Sequence, residues 1–358
     1  MSIDLPLAAI FDPQGRLIIS EHGGHRIATF DKGVLGTLAG GLGSGYTGDG
    51  LAATGAAISY PSGVAWQGPD LIFADGGNYR LRKVAADGTM STVVGAQSVH
   101  NKVAPVALAA DARMPVATYL THPDAVAVAP DGRLYWSSMQ TQQIYRLAID
   151  GMVELVAGKG PAKGGTSSAS DKLKLGPAQE ATGPAKEASV PVPMGLAFDP
   201  QGNLYVADAG SLLIRKITGL DGNAPVISRF AGTSSLAAFA PGAPDEALLL
   251  PAALVFDGKG NLYVAELGTA AFPLLTTITD ATAAATAPTF SPSFARIRRL
   301  GPDGKWKTIA GPGSSLYPDP LADDGLILPE GLAIAPDGRL AIMDSGSNLV
   351  HLLPAGSY

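Results

Sequence analysis

Two carboxylates and a histidine stand out for where they sit. Asp124 and Glu330 each follow directly on a proline, in His122-Pro123-Asp124 and Pro329-Glu330, and each precedes a short apolar run. Burial in a lidded pore would raise a carboxyl pKa toward working pH, and acid–base chemistry by Asp or Glu would follow from it. His122 is a second proton carrier two residues from Asp124, which makes Asp124, Glu330 and His122 the candidate catalytic set. Carboxylate oxygens also suit hard cations, so Asp124 and Glu330 double as candidate metal ligands. The run His22-Gly-Gly-His25 offers two imidazoles, but zinc needs a third ligand and usually a fourth. Only His100, His122 and His351 remain to supply one. The simpler reading of this pair is polar residues on a turn, with His22 kept as a candidate ligand-binding residue.

Other chemistries are excluded. The chain has no cysteine, which removes disulfides, thiolate metal sites and cysteine nucleophiles. There is no Gly-x-Ser-x-Gly elbow and no dinucleotide fingerprint. The stretch 160–170, rich in Lys, Gly and Ser, lacks the Gly-Lys-Ser/Thr ending of a phosphate-binding loop and reads as a flexible linker. A net charge of -6 and a pI near 5.3 argue against nucleic acid as a partner. No apolar run is long enough to predict a membrane-spanning helix, and the first residues lack a basic segment followed by an apolar one. The expectation is a soluble chain without a signal peptide as given, either cytoplasmic or secreted or periplasmic after processing.

The elements that must position these residues come from a repeat. With 45 Gly, 28 Pro and only 16% charged residues, the composition suits many short strands joined by turns. A turn of the form Asp-x-x-Gly-x-Leu, or a shortened version, recurs as Asp12 to Leu17, Gln67 to Leu71, Asp131 to Leu134, Asp199 to Leu204, Asp257 to Leu262 and Asp337 to Leu340. Upstream of each, a proline opens an apolar strand: Pro6, Pro61, Pro123, Pro193, Pro251 and Pro329. Proline is tolerated there because the first residue of a strand need not donate to the ladder. Three further strands follow each turn, and five of the fourth strands end in a small residue and glycine, as in Ala39-Gly40 and Ala231-Gly232. Six units of four antiparallel strands predict an all-β, six-bladed β-propeller forming one domain over 1–358. The blades fall roughly at 6–40, 61–95, 123–158, 193–232, 251–311 and 329–354. The sixth runs out of chain, so it is expected to be three-stranded or weakly completed.

The stretch Gly45-Tyr-Thr-Gly-Asp-Gly50, with Tyr60-Pro-Ser-Gly-Val-Ala65, Ala74-Asp75 and Asn78-Tyr-Arg-Leu-Arg-Lys-Val84, resembles a bacterial NHL repeat. The likeness covers nearly the whole chain, with blade two the closest match. It implies the propeller fold. It also implies a choice of functions, since that family includes binding scaffolds and enzymes such as peptidyl-hydroxyglycine amidating lyases. His100 beside His22 and His25 would resemble the histidine-rich metal site of those lyases, though the motif matches poorly.

A propeller turns these spacings into rings. The position after each strand-opening proline should face the pore mouth: Leu7, Ser62, Asp124, Met194, Ala252 and Glu330. Propeller hydrolases and lactonases of this architecture hold calcium with acids and amides at such positions, so calcium is the one cofactor the resemblance raises. A second ring, four residues past each anchor leucine, holds Glu21, Asp75, Ser138, Asp208, Glu266 and Asp344. Arg26, Arg80 and Arg296 follow at the matching place and suggest an acid–arginine lock on each hairpin. Asp208 and Asp344 face Leu213 and Leu349 there, which leaves them without the expected partner and marks them, with Ser62 and Met194, as candidate ligand-binding residues. Outer-to-inner links of 17 to 34 residues, and an insertion at 268–292, should land on the same rim, with short helices at 104–113 and 245–250. The leading expectation is a propeller that binds a small molecule, peptide or protein on this loop-covered top face. The alternative is a lyase, hydrolase, lactonase or cyclase using the pore-mouth carboxylates.

Overall fold

The computed structural model describes residues 3–95, 107–110, 112–117, 120–161, 177–235, 247–268, 295–311 and 326–357. The chain is a six-bladed β-propeller of small antiparallel sheets. Blade one is formed by Pro6–Phe11, Leu17–Glu21, Arg26–Asp31 and Val34–Gly40, and blade two by Pro61–Gln67, Asp70–Asp75, Arg80–Val84 and Met90–Val94. Blade five comprises Pro251–Phe256, Leu262–Glu266, Arg296–Leu300 and Trp306–Ala310. Each inner strand packs against those of its two neighbours, and Pro329–Ile334 of blade six packs against Pro6–Phe11 of blade one to close the ring.

The anchor turns form for a local reason. In Asp12 to Leu17 the Asp12 carboxylate accepts the backbone N–H of Gln14 (3.0 Å) and of Arg16 (2.8 Å). Asp199 and Asp257 do the same for Gln201 and Asn203, and for Lys259 and Asn261. The chain then reverses through Gly15, Gly202 or Gly260, each left-handed at φ 79–82°. A side chain there would be strained, which is why these turns require glycine.

Close approach of the inner strands has its own residue pattern, one that the turn repeat does not reveal. The position two after each opening proline alternates Ala8, Gly63, Ala125, Gly195, Ala253, Gly331 around the ring. A Cβ on Gly63 would lie 2.5 Å from Val126 N, one on Gly195 2.5 Å from Ala252 O, and one on Gly331 2.4 Å from Leu7 O. The glycines of blades two, four and six thus let three of the six joints close to backbone contact, and Gly63 N–H donates across one of them to Asp124 O (2.8 Å).

Three expectations are corrected. Blade three opens with a shorter strand than Pro123 suggests, Val126–Val128, although Asp124 and Ala125 still exchange backbone bonds with Ser137. Blades three and four have five strands, because Arg113–Pro115 pairs with the outer strand Met152–Ala157 and Gly183–Pro184 pairs with Val226–Gly232. In blades three and four, part of the incoming link therefore runs along the outer edge of the blade it enters and covers hydrogen-bonding groups that an edge strand would leave open. In blade two the link does so through the bridges Asp49 to Met90 and Ala52 to Thr89. Neither 107–110 with 112–113 nor 247–250 is helical. The remaining parts of these two segments, His100, the insertion at 269–292 and most of 160–170 lie outside the described residues. Blade six has the three strands expected: Pro329–Ile334, Leu340–Asp344 and Leu349–Leu353.

Candidate functional site: the central channel

Inner strands expose alternate residues to the axis, since side chains on a strand point to opposite faces with period two. The result is three stacked rings lining one central cavity of about 470 Å³. The first contains Leu7, Ser62, Asp124, Met194, Ala252 and Glu330, as the spacing predicted. The second contains Ala9, Val64, Val126, Leu196, Leu254 and Leu332. These keep 7–9% exposure while Ile72, Val206, Val264 and Ile342 in the strands behind them have none, so the second ring faces open space rather than packed core. The third contains Phe11, Trp66, Val128, Phe198, Phe256 and Ile334 and lines the far end with aromatic and branched groups. The channel is thus polar at one mouth and apolar below it.

At that mouth Asp124 accepts two hydrogen bonds, from Met139 N–H (2.7 Å) and from His122 Nδ1 (3.0 Å). Burial pulls the His122 imidazole down, but the bond and charge of Asp124 outweigh it and leave its pKa above the ordinary value. Across the ring, Glu330 accepts from Ser345 Oγ. Burial pushes the Glu330 carboxyl up, Ser345 opposes this, and the nearby Asp344 charge adds to it. Ser62 lines the mouth with its hydroxyl tied to Pro123 O (3.0 Å). Met194 lines it without polar chemistry. Among the described residues no three His, Asp or Glu side chains come together to hold a metal ion. A cation at this mouth would therefore rely on carbonyls and water beyond what either acid offers.

Asp208 and Asp344 are not partnerless, and neither lines the channel. Asp208 is fully buried, accepts from Ser211 Oγ (2.6 Å) and Val192 N–H (3.0 Å), and lies 4.0 Å from Arg215. Asp344 accepts from Leu328 N–H (2.7 Å), Ile327 N–H (3.1 Å) and Ser347 Oγ (2.8 Å), with His351 Nε2 at 3.6 Å. The cation sits two residues beyond the place expected for it. Positions five and seven past the acid lie on the same face of the third strand, so spacing alone does not choose between them. Glu21 uses the first, Arg26, and Glu266 uses Arg296 (3.0 Å). Asp75 uses the second: Arg82 lies 3.5 Å away, while Arg80 stacks on Tyr46 at 3.5 Å from the ring centre. Burial raises Asp75 to about 6 against the pull of Ser59, Asn78 and Arg82, and raises Asp208 to about 6 against Ser211 and Arg215. In blade three, where Ser138 replaces the acid, Gln143 accepts from Tyr145 OH (2.7 Å) and Leu108 N–H (2.7 Å), a neutral substitute for the lock.

The Gly45–Gly50 motif closes the same lock from outside. Arg82 donates to Asp49 (2.8 Å), Thr47 O (2.7 Å) and Ala57 O (3.2 Å), and Asp49 also accepts from Tyr46 OH and Thr92 Oγ1. His22 and His25 sit on the rim around Tyr60, at ring separations of 5.1 and 4.6 Å. His22 Nδ1 lies 3.2 Å from Pro61 O, and burial together with the His122 charge lowers its pKa despite that bond. His22 borders the mouth without lining the cavity.

No family model matches the chain. It is 31% identical to Teneurin-m of Drosophila melanogaster over 194 residues, 53% of this chain, and 33% identical to Teneurin-3 of Mus musculus over 106 residues, 29% of this chain. The chain spans 6% and 4% of the length of those two relatives. Solved structures share its fold at low identity. A streptogramin B lyase aligns with TM-score 0.51 and 13% identity over 96% of this chain and 92% of its own. A structure described as a gluconolactonase by family assignment aligns at 0.54 and 15% over 96% and 87%. An auxiliary nutrient binding protein from Bacteroides thetaiotaomicron aligns at 0.57 and 13% over 99% and 70%. These likenesses define a six-bladed propeller whose structural neighbours include enzymes and a binding protein. Among the described residues, no helix is long and apolar enough to cross a membrane.

Proposed function

We propose that this chain is a ligand-binding propeller of the NHL type, a single domain that takes a small molecule through the polar mouth of its central channel. The observation that carries the reading is the contrast along the axis, two carboxylates above two apolar rings around a cavity of about 470 Å³. Small-molecule pockets run to roughly 300–1,000 Å³, mostly apolar with a few convergent polar groups. Ala9→Phe would fill the second ring. In a thermal-shift screen of small molecules, ligands that stabilise the wild-type chain should lose their effect on Ala9→Phe. Hits that survive the substitution would remove the channel from consideration.

A second reading is favoured by one contact. His122 Nδ1 against Asp124 Oδ1 is the arrangement by which a carboxylate orients an imidazole for proton transfer. With Glu330 opposite, the mouth has the parts for a lyase, hydrolase, lactonase or cyclase. Turnover on any substrate found by the screen, abolished by His122→Gln with binding retained, would make the protein an enzyme. Unchanged turnover in that variant would leave binding alone.

A further inference from the structure

The charge that lines the channel has one sign. Asp124 and Glu330 are its ionisable side chains, and no Lys, Arg or His is among the lining residues. The buried hairpin acids are each matched by a cation or imidazole within 4.0 Å: Glu21 by Arg26, Asp75 by Arg82, Asp208 by Arg215, Glu266 by Arg296 and Asp344 by His351. Glu330 breaks this rule. Among the described residues it has a hydroxyl donor, Ser345, and no cationic partner. Glu330 is half-buried at the channel wall, and a carboxylate so placed without a counter-charge is biased toward holding its proton.

Resting on the channel as the ligand site, we propose that the ligand class is a primary or secondary amine with an apolar body. The protonated nitrogen sits at the mouth against Glu330 and Asp124, and the body lies along Val64, Val126, Leu196, Leu254 and Leu332 toward the aromatic ring below. Each part has its reason. An ammonium supplies the counter-charge that Glu330 lacks and brings donors to carboxylates that can only accept. The walls below offer no polar side chain, so a polar body would lose its hydrogen bonds to water without replacement. Phe11, Trp66, Phe198 and Phe256 favour an aryl or branched end. An anion of the same shape would meet two carboxylates, the one imidazole beside them, His122, being already engaged by Asp124.

The test is a matched series of equal shape and differing charge, 3-phenylpropylamine, 3-phenylpropan-1-ol and 3-phenylpropionate, titrated calorimetrically into the whole chain. The wild type should prefer the amine over the alcohol by roughly tenfold or more, the expected effect of a charge-assisted bond, and show no binding of the carboxylate. The isosteric Glu330→Gln, alone and with Asp124→Asn, should erase that preference, the amine losing far more affinity than the alcohol. Ala9→Phe should abolish binding of both, and circular dichroism confirms that each variant is folded. Equal affinities for amine and alcohol, both lost in Ala9→Phe, would overturn the amine class and leave the channel standing. Tighter binding of the carboxylate would also overturn the class. Amine binding that survives Ala9→Phe, or no binding of any of the three, would overturn the site itself and the class with it.

Discussion

Replacing Gly331 by alanine probes how the ring is held shut. The added Cβ would lie 2.4 Å from Leu7 O and 3.0 Å from Ala8 Cα, both backbone atoms of blade one, and 2.9 Å from Met343 Cγ. Ordinary contact begins at 3.4 Å, so the two inner strands must part by roughly 1 Å or bend. Overpacking of this kind costs about 1–3 kcal/mol. An unfolding entropy of about 2.1 cal/mol/K per residue over 358 residues gives roughly 0.75 kcal/mol per degree, so the midpoint should fall by about 1–4 °C. Gly258→Ala is the matched control. No atom lies within 4 Å of its added Cβ and Gly258 has no positive φ, so it should be neutral or stabilise slightly through the unfolded chain. Differential scanning calorimetry on the two variants and the wild type decides the matter. If Gly331→Ala melts with Gly258→Ala, backbone contact at the seam does not hold the ring, and the alternation of glycine and alanine has no structural meaning.

Other consequences are as direct. Asp208 keeps its proton to about pH 6 when folded but releases it near 4 when unfolded, so its contribution to stability is present below pH 4 and lost as pH rises through 6. Urea titrations should therefore show Asp208→Asn gaining up to about 3 kcal/mol on the wild type between pH 4 and pH 7, since a tenfold change in proton affinity is worth about 1.36 kcal/mol; a constant difference would refute the raised carboxyl. Arg82→Ala leaves Asp75 and Asp49 without their cation and should cost about 3–5 kcal/mol, read from the chemical-denaturation midpoint. In hydrogen exchange, amides of Leu349–Leu353, an edge strand of blade six among the described residues, should exchange faster than those of Arg80–Val84 and Leu213–Thr218, which have neighbours on both sides.

Much of the architecture is legible in the sequence because it is local. A proline that opens a strand and an Asp-x-x-Gly turn act within a few residues, and Pro193-Met-Gly-Leu-Ala-Phe198 announces its blade without help from the rest of the chain. The mouth ring is legible for the same reason, since period-two alternation carries Asp124 and Glu330 to the axis once the strand start is known. What spacing misses depends on choices made across the fold. Arg80 and Arg82 share one strand face, and the one that meets Asp75 is decided by Tyr46, which stacks under Arg80 from a link more than thirty residues upstream. The course of the links along outer edges is hidden likewise, because their pairing partners lie in the blade that follows. Gly63, Gly195 and Gly331 are in plain view two places after their prolines, but their purpose shows only when the neighbouring strand is in position.

The seam between blades six and one also sets an order of events. The other five joints connect blades adjacent along the chain, so each can form as soon as its two members exist. The seam instead links residues 324 apart through Arg339 and Gly15, and 343 apart through Leu5 and Asn348. Contacts so distant in sequence bear the greatest closure entropy and are made late in folding. The ring should thus assemble as an open arc and shut last, at the joint between the blade formed last and the blade formed first.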